Sequence, residues 1–343
     1  MNEWIDELSD LTAAGEAAVI VTIAAVRGSA PREPGAKMIV TATETIGTIG
    51  GGQLEHQCTH MAVNMLTAHE LPSLRKFPLG AAMGQCCGGV VEVLFEPIDA
   101  GIPGWLKDVR ALHGQRQPAT LVTGIGESAG KYVVAADSSF GPDDLSEAIE
   151  ARARELAATR GSAERVDDYL LEPVTASDFN IAVFGAGHVG AAVVGALSQL
   201  DCNIRWIDSR RNIFRQVPRN VRAIEAETPA LEVAAMPPES FYLVMTHSHA
   251  LDFEICTRAL SRDDVAYAGL IGSRTKRRRF EKRFAKAGLS AARIERLVCP
   301  IGVNGISGKK PAEIAVAVAA ELLQVREGEA SARLPDNVLP IGG

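Results

Sequence analysis

Two adjacent cysteines in a glycine-rich segment are the residues of this sequence best suited to metal or sulfur chemistry. Cys86 and Cys87 lie in the segment GAAMGQCCGG, between two extended stretches of the chain. Soft thiolates bind thiophilic metals or carry sulfur, and nearby backbone N–H groups stabilise the thiolate form. A structural cysteine lies more often in an apolar strand or helix. The segment therefore favours a ligand-binding role for Cys86 and Cys87, with Gln85 as a hydrogen-bonding neighbour.

A glycine pattern in the second half of the chain is typical of a dinucleotide-binding turn. Gly185, Gly187 and Gly190 have the G-x-G-x-x-G spacing between a strand-like run and a helical run, and Asp208 ends the next strand-like run. Gly185 allows a tight turn, Gly187 close approach of a phosphate, and Gly190 contact between helix and strand. Asp208 is placed to reach a ribose hydroxyl. A Rossmann fold can keep its shape after its dinucleotide has been lost or replaced, and His188 lies inside the turn, so the identity of the ligand stays open.

A run of three glycines in the first half is a further candidate. Gly50, Gly51 and Gly52 lie between an extended segment and a helix, so the backbone can approach a ligand and the helix offers free N–H groups to an anion. The alternative is a tight connection that only needs positive φ. An earlier turn in the same half presents Ser29 and Arg32.

A basic segment near the C-terminus has two opposite faces. Arg274 to Lys286 is rich in arginine and lysine, and Phe280 and Phe284 are four residues apart, which predicts an amphipathic helix. Its charged face is either solvated, or docks an acidic partner, or binds phosphate at the helix start with Ser273 and Arg274. These alternatives stay open from the sequence. His247 and His249 are interpreted as polar caps rather than as paired metal ligands.

The order of elements predicts the architecture that positions these residues. Repeated strand and helix segments after residue 176 indicate a parallel, doubly wound sheet, whose strands present the candidate residues at their carboxyl ends. The fold class is thus α/β, with an N-terminal mixed α+β domain followed by a C-terminal Rossmann-like doubly wound parallel sheet. We expect domains at residues 1–175 and 176–327 and a mobile tail at 328–343.

Composition narrows the class of protein further. The 343-residue chain has a net charge of -7 and six cysteines. An acidic balance argues against nucleic acid as a partner, and the apolar runs are too short to span a membrane. The cysteines do not form a disulfide framework, so we expect reduced thiols and a cytoplasmic protein.

Taken together, the motifs of both halves resemble the XdhC/CoxI family of accessory proteins for xanthine dehydrogenase. The resemblance is carried in order by the following segments: GSAPREPGAKM, GTIGGGQLE, QCCGG, FGAGHVG, THSHALD, YAGLIGSRTK and CPIGVNGISGKKPAEIAVAVAAELL. It covers nearly the whole chain, which makes it far more specific than the glycine turn alone.

The resemblance implies a molybdenum cofactor chaperone rather than an enzyme. Molybdopterin-bound molybdenum would be held as cargo while a cysteine desulfurase supplies a sulfido ligand, and would then be inserted into the molybdenum-binding subunit of xanthine dehydrogenase. It also implies a homo-oligomer. Cys86 and Cys87 would contact molybdenum, and the glycine-rich turns and helix starts would suit the pterin phosphate or a nucleotide.

Two alternatives come from other classes of protein. An NAD(P)-dependent oxidoreductase is supported by Asp208 and the glycine turn, but the strand ends carry no convincing acid, base or metal set apart from His188, His247 and His249. A nucleotide-sensing module would need only the C-terminal half, and it would leave the cysteine pair unexplained.

Overall fold

The computed structural model describes residues 3–68, 70–79, 88–128, 130–142 and 145–333. The chain divides into an N-terminal unit, Met1–Ala176, and a C-terminal unit, Ser177–Gly343. The division falls beside the domain border expected at 175/176. The expected border at 328 lies inside the last helix, which continues to Arg333.

The N-terminal unit repeats one order of elements, α-β-β-β-α-β-β, twice. The first copy comprises α1 (Glu3–Ala13), β1 (Ala18–Arg27), β2 (Lys37–Val40), β3 (Thr45–Gly47), α2 (Gly52–Ala68), β4 (Ser73–Pro78) and β5 (Val90–Ile98). The second comprises α3 (Gly104–Gly114), β6 (Ala119–Gly124), β7 (Gly130–Ala135), β8 (Ser139–Phe140), α4 (Glu147–Thr159), β9 (Glu164–Val166) and β10 (Tyr169–Val174). A 3-10 turn, Gly126–Ser128, lies between β6 and β7.

The two sheets of this unit have the same topology and the same register. Their orders are β3-β2-β1-β5-β4 and β8-β7-β6-β10-β9, and every neighbouring pair of strands with a defined register is antiparallel. Thr22 pairs with Lys37 in the first sheet, as Thr123 pairs with Lys131 in the second. Each strand of one sheet thus has a counterpart in the other, which identifies an internal duplication.

Equivalent ion pairs cross between the two copies. Lys37 Nζ donates to Glu172, and Lys131 Nζ donates to Glu96. Each copy therefore contributes one lysine and one glutamate to the two pairs. All four side chains are at most 10% exposed. Because a buried charge is costly without its partner, these pairs tie the two copies to one another.

Equivalent tryptophans cover the two lysines. Lys37 Nζ lies 4.8 Å from the ring centroid of Trp4, and Lys131 Nζ lies 4.6 Å from that of Trp105. Both distances are within the range of a cation–π interaction. The two tryptophans belong to α1 and α3, so the duplication extends to the helices.

The C-terminal unit is a doubly wound sheet of parallel strands. Its elements are β11 (Asn180–Phe184), α5 (His188–Leu197), β12 (Asn203–Asp208), β13 (Val221–Glu225), a 3-10 helix (Pro229–Val233), β14 (Ser240–Val244), α6 (His249–Ser261), β15 (Val265–Leu270), α7 (Arg274–Lys286), α8 (Ala291–Glu295), β16 (Leu297–Val298) and α9 (Pro311–Arg333). The sheet order is β13-β12-β11-β14-β15-β16, and its strand pairs are parallel. This is the strand order of dinucleotide-binding Rossmann folds, so the predicted fold class is confirmed.

Both faces of this sheet are covered. One apolar cluster joins β14 and β15 to α6 and to Phe280 and Phe284 of α7. The other joins β11 and β12 to α5 and α9. Burial on both faces explains the nearly continuous apolar runs of the strands, and it leaves their carboxyl ends as the edge available to ligands.

Candidate functional site

Three motifs of the first copy meet in the N-terminal unit. A Cβ atom at Gly28 would lie 3.2 Å from Gly89 Cα, and one at Gly89 would overlap the carbonyl oxygen of Ser29. A Cβ at Gly50 would lie 2.7 Å from the ring of Pro31. The turn after β1 therefore packs against the backbone just before β5, and its Pro31 ring packs against the glycine run before α2. We call this contact the loop cluster.

The glycine run of the loop cluster holds a carboxylate of the protein itself. Glu55 Oε2 accepts hydrogen bonds from the backbone N–H groups of Ile49 and Gly51, each at 3.0 Å, and from the Thr48 hydroxyl. Burial alone would raise the pKa of Glu55, but these hydrogen bonds together lower it. A ligand phosphate at Gly50, Gly51 and Gly52 would have to displace Glu55, so their assignment as a binding turn stays a prediction.

The loop cluster still offers polar groups and open space. Arg32 is half-buried beside Gly50, and its guanidinium pairs only with its exposed neighbour Glu33, at 3.3 Å, among the residues described. No described residue lies within 4 Å of the Cβ positions of Gly51 and Gly88. Among the described residues, these two glycines therefore border open space, whereas Gly50 is packed closely against Pro31 and Gly89 against Ser29.

The second copy lacks the long connection that precedes β5 in the first copy. In the first copy, a backbone hydrogen bond from Leu79 N–H to Gly89 O, at 2.7 Å, closes the base of the long β4–β5 connection. In the second copy, Asp167 and Asp168 alone join β9 to β10, and Asp167 adopts a positive φ of 50°. The long segment that ends at Gly89 is therefore a feature of the first copy.

The structure describes Cys58 but not the adjacent pair Cys86 and Cys87. Gln85, Cys86 and Cys87 lie outside the described residues, so their role stays a prediction; Gly88, which follows Cys87 in the chain, belongs to the loop cluster. Cys58 is fully buried in α2, and burial, together with the nearby Glu55, raises the pKa of its thiol to about 12. A thiol held protonated in the core is a poor metal ligand.

The glycine turn of the C-terminal unit has the predicted backbone geometry. Gly185 has a φ of +116°, and a side chain there would overlap the carbonyl oxygen of Met245. A Cβ at Gly190 would overlap the carbonyl oxygen of Gly185, which explains the close approach of α5 to β11. Of the residues that the structure describes, none lies within 4 Å of a Cβ at Gly187, the N-cap of α5. The turn thus leaves open space at the helix start, with His188 exposed beside it.

The carboxylate of Asp208 stabilises this turn through hydrogen bonds. Its Oδ2 accepts from the backbone N–H of Ala186 at 2.7 Å and from Arg210 Nη2 at 2.8 Å, and its Oδ1 accepts from the backbone N–H and Nε of Arg210. Burial alone would raise the pKa of Asp208, but these bonds lower it to about 2. The predicted bond to a ribose hydroxyl would have to replace one of them, and it stays a prediction.

A buried ion pair between Asp252 and Lys276, which we call the strut, joins the ends of β14 and β15. The Asp252 carboxylate accepts from the hydroxyl of Thr246 at 2.8 Å and from Lys276 Nζ at 2.7 Å, and Lys276 also donates to the carbonyl of Ile271 at 2.8 Å. Sequence reasoning missed this strut, because Asp252 and Lys276 meet only when β14 and β15 are paired. It fixes the starts of α6 and α7 relative to the sheet.

The helix starts beside the strut are capped by serines. Ser248 caps α6, accepting from the backbone N–H of Leu251 at 3.4 Å, so the cap predicted for His247 or His249 was wrong. Both histidines are exposed. Ser273 caps α7, accepting from the backbone N–H of Lys276 at 3.2 Å, and Arg274 is the first helical residue. The amphipathic helix was predicted with its correct bounds.

Two absences concern only the part of the chain that the structure describes. Within it, no three His, Cys, Asp or Glu side chains are grouped as a metal ion would require. Among its helices, none is both long enough and apolar enough to pass through a membrane.

Fold and site together define a class of two-unit proteins. In this class, a duplicated α+β unit carries the loop cluster and a Rossmann unit follows it. The profile of the XdhC and CoxI family matches residues 11–77, and that of the XdhC Rossmann domain matches residues 181–322. The chain belongs to the XdhC and CoxI family.

The known proteins that are similar to this chain include one of solved structure and one curated sequence. A crystal structure described as a xanthine dehydrogenase from Bacillus halodurans matches with a TM-score of 0.73 and 24% identity, over 96% of this chain and 98% of that one. At this identity the match supports the fold. The uncharacterized protein YqeB of Escherichia coli (strain K12) is 31% identical over 150 residues, which are 43% of this chain and 27% of that protein. The chain therefore matches about a quarter of the length of that relative.

Proposed function

We propose that this protein is an accessory factor of xanthine dehydrogenase that binds the molybdenum cofactor as cargo. Membership of the XdhC and CoxI family supports the accessory role. The cofactor would be protected during sulfuration by a cysteine desulfurase and then inserted into the molybdenum-binding subunit of the dehydrogenase. We further propose that the protein acts in the cytoplasm as a homo-oligomer and performs no turnover of its own.

The loop cluster is the observation that carries the proposal. It brings the turn after β1, with Ser29 and Arg32, against Gly89 at the end of the cysteine-containing segment. A cation, open space at Gly51 and Gly88, and two thiols adjoining in sequence suit an anionic cofactor with a soft metal. The residues that would hold the cargo are Arg32 for its phosphate and Cys86 and Cys87 for molybdenum or sulfur.

The duplication supports a specialised role for this end of the unit. The second copy has the same sheet and register but a minimal turn at Asp167 and Asp168. A loop that served only to close the sheet would not need the length found in the first copy, since the second copy closes without it. The added segment is therefore interpreted as the functional one.

The decisive experiment combines cofactor content with delivery. Cys86→Ser and Cys87→Ser, singly and together, are compared with wild type for molybdenum bound after incubation with cofactor and for activity restored to cofactor-free xanthine dehydrogenase. We expect the double variant to lose both, because a protonated hydroxyl is a harder and poorer ligand than a thiolate. Cys58→Ala, which removes a buried thiol outside the cluster, is the control. Equal loading and delivery by the double variant would contradict a role for the pair.

Dinucleotide binding by the C-terminal unit is the second candidate function. Its strand order and the geometry of Gly185 and Gly190 favour it. The engagement of Asp208 by Ala186 and Arg210 weighs against tight ribose binding. Titration of the same preparation with NAD and NADP, followed by a search for steady hydride transfer, separates the two: sustained turnover would favour the oxidoreductase.

A further inference from the structure

The solvent face of α2 carries two histidines that are one helical turn apart. His56 and His60 are both exposed. The buried residues of the same helix are Leu54, Cys58, Ala62 and Met65. At 3.6 residues per turn, the two histidines lie on the side of α2 opposite this buried set. They are therefore not part of the core, and none of the functions considered above uses them.

The spacing of the two histidines suits a shared ligand. Side chains four residues apart on a helix have Cβ atoms about 5–6 Å apart, so both imidazoles can reach one ion between them. Neutral imidazole is a good ligand for Zn²⁺, Ni²⁺ and Cu²⁺. His56 has no hydrogen-bond or ion-pair partner among the residues described, so its ring is available to such an ion.

The charge of α2 favours the approach of a cation. The helix contains neither lysine nor arginine, and its one acidic residue is Glu55. The Glu55 carboxylate accepts from the backbone N–H groups of Ile49 and Gly51 at the helix start, so it is engaged there rather than with the histidines. The other exposed residues of this stretch include the neutral Gln53 and Gln57. Exposed helix faces normally carry lysine and arginine, so this neutral face is unusual.

Asn64 positions the second histidine. It lies one turn beyond His60, and its amide Nδ2 is 3.2 Å from His60 Nδ1. A metal ion bound at Nε2 requires a hydrogen on Nδ1 and an acceptor for that hydrogen. A half-turn of the Asn64 amide exchanges its nitrogen and oxygen and supplies this acceptor. His60 thus has the kind of supporting partner that metal-binding histidines use.

The helix that carries the histidines is held firmly on the sheet. Its buried residues belong to the apolar cluster that includes residues of β1, β2 and β5. The hydrogen bonds of Glu55 fix its first turn to the preceding glycine run. A pair of ligands on such a helix is pre-organised, because little side-chain freedom remains to be lost on binding.

We propose that His56 and His60 together bind one divalent transition-metal ion of the group that prefers imidazole: Zn²⁺, Ni²⁺ or Cu²⁺. Two protein ligands are fewer than the three or four of resident zinc centres, so the ion is exchangeable and keeps water at its remaining positions. The proposal goes beyond cofactor delivery by the loop cluster and does not depend on it.

Calorimetric titration with Ni²⁺ tests the proposal on the full-length protein carrying Cys86→Ser and Cys87→Ser. These changes remove two thiols that would compete for the ion, and the cysteines at 58, 202, 256 and 299 are buried. We expect one Ni²⁺ per chain and no binding of Mg²⁺, which prefers oxygen ligands. No molybdenum cofactor or dehydrogenase is present, so failure here leaves the proposed function standing.

Single variants of this parent protein locate the ion. We expect His56→Ala and His60→Ala each to weaken Ni²⁺ binding at least about tenfold, because the second imidazole acts on an ion that the first already holds. His249→Ala is the control, since it removes an exposed histidine of the C-terminal unit, and it should bind Ni²⁺ like the parent.

Moving one histidine separates chelation from the mere number of histidines. In the His56→Ala protein, Gln57→His restores a pair three residues apart and should recover Ni²⁺ binding. Gln53→His instead places the pair seven residues apart, about 10 Å along the helix, and should not recover it. Absence of Ni²⁺ binding by the parent, equal binding of Mg²⁺, unchanged affinity in either single variant, or equal recovery in both double variants would overturn the proposal.

Discussion

Asp208 Oδ2 lies 2.7 Å from the backbone nitrogen of Ala186, which places the acid at the end of β12 inside the glycine turn that follows β11. Trp206 of the same strand donates from Nε1 to the carbonyl of Gly185 at 3.1 Å. One strand thus holds the turn through both a donor and an acceptor. The acid expected to contact a ligand is therefore part of the frame of the turn.

Replacing Asp208 by Asn should destabilise the C-terminal unit by about 1–3 kcal/mol near neutral pH, because Asn cannot pair with the Arg210 guanidinium. The carboxyl has a pKa of about 2 in the folded protein, against an ordinary value of about 4. Its depressed pKa contributes stability above pH 4, which is lost as pH falls towards 2. Urea unfolding of both proteins between pH 7 and pH 3 measures the difference.

The difference in unfolding free energy between wild type and Asp208→Asn should be constant above about pH 4 and shrink below it. A difference that persists undiminished at the lowest accessible pH would show that the charge of Asp208 is not responsible.

Gly187→Val should lower nucleotide or cofactor occupancy and leave the melting temperature nearly unchanged. Its Cβ would enter open space at the start of α5, where a phosphate would approach. Gly190→Ala is the structural contrast, since its Cβ would overlap the carbonyl of Gly185 and should lower the melting temperature. Equal ligand affinities of wild type and Gly187→Val would assign the turn a purely structural role.

Gly89→Ala should separate the segments of the loop cluster, because its Cβ would overlap the carbonyl oxygen of Ser29. We expect reduced cofactor retention, read as bound molybdenum after gel filtration. Gly114→Ala is the control: it adds the same methyl group in α3 of the second copy, where no described residue lies within 4 Å. Similar retention by both variants would argue against the loop cluster as the cargo site.

Lys37→Met should destabilise the N-terminal unit by about 3–5 kcal/mol, because it leaves the buried Glu172 carboxylate without its partner. Asp6→Ala breaks the exposed pair with Arg110 and should cost less than about 1 kcal/mol. Chemical denaturation of the two variants compares the costs. A loss for Lys37→Met no larger than that for Asp6→Ala would mean that the crossed pairs do not hold the copies together.

Local patterns in the sequence predicted the C-terminal unit well. The strand, glycine turn and helix around Gly185 lie within a few residues of one another, so spacing alone fixes their geometry. The bounds of α7 followed from Phe280 and Phe284 in the same way. The contacts of Asp208 were not predictable, because the sequence does not show whether this carboxylate pairs with Arg210 or is left available to a ligand.

The N-terminal unit depended on contacts that are distant in sequence. Its duplication was detectable in principle, since EWIDEL resembles GWLKDV and FEPI resembles LEPV. Loops of different length shift the spacing between equivalent residues along the copies and obscure the repeat. The role of Glu55 was also missed, because a glycine run beside a helix start looks the same whether its anion is a ligand or the protein's own carboxylate.

The N-terminal unit resembles a dimer whose two subunits are joined in one chain, because Lys37 pairs with Glu172 and Lys131 pairs with Glu96 across the two copies. Each half buries a charge that only the other half neutralises, so neither is a complete folding unit. A fused pair of this kind is free to become unequal, as subunits of a symmetric homodimer are not. One half has lengthened the loops around Gly89, while the other supplies the interface that keeps them in place.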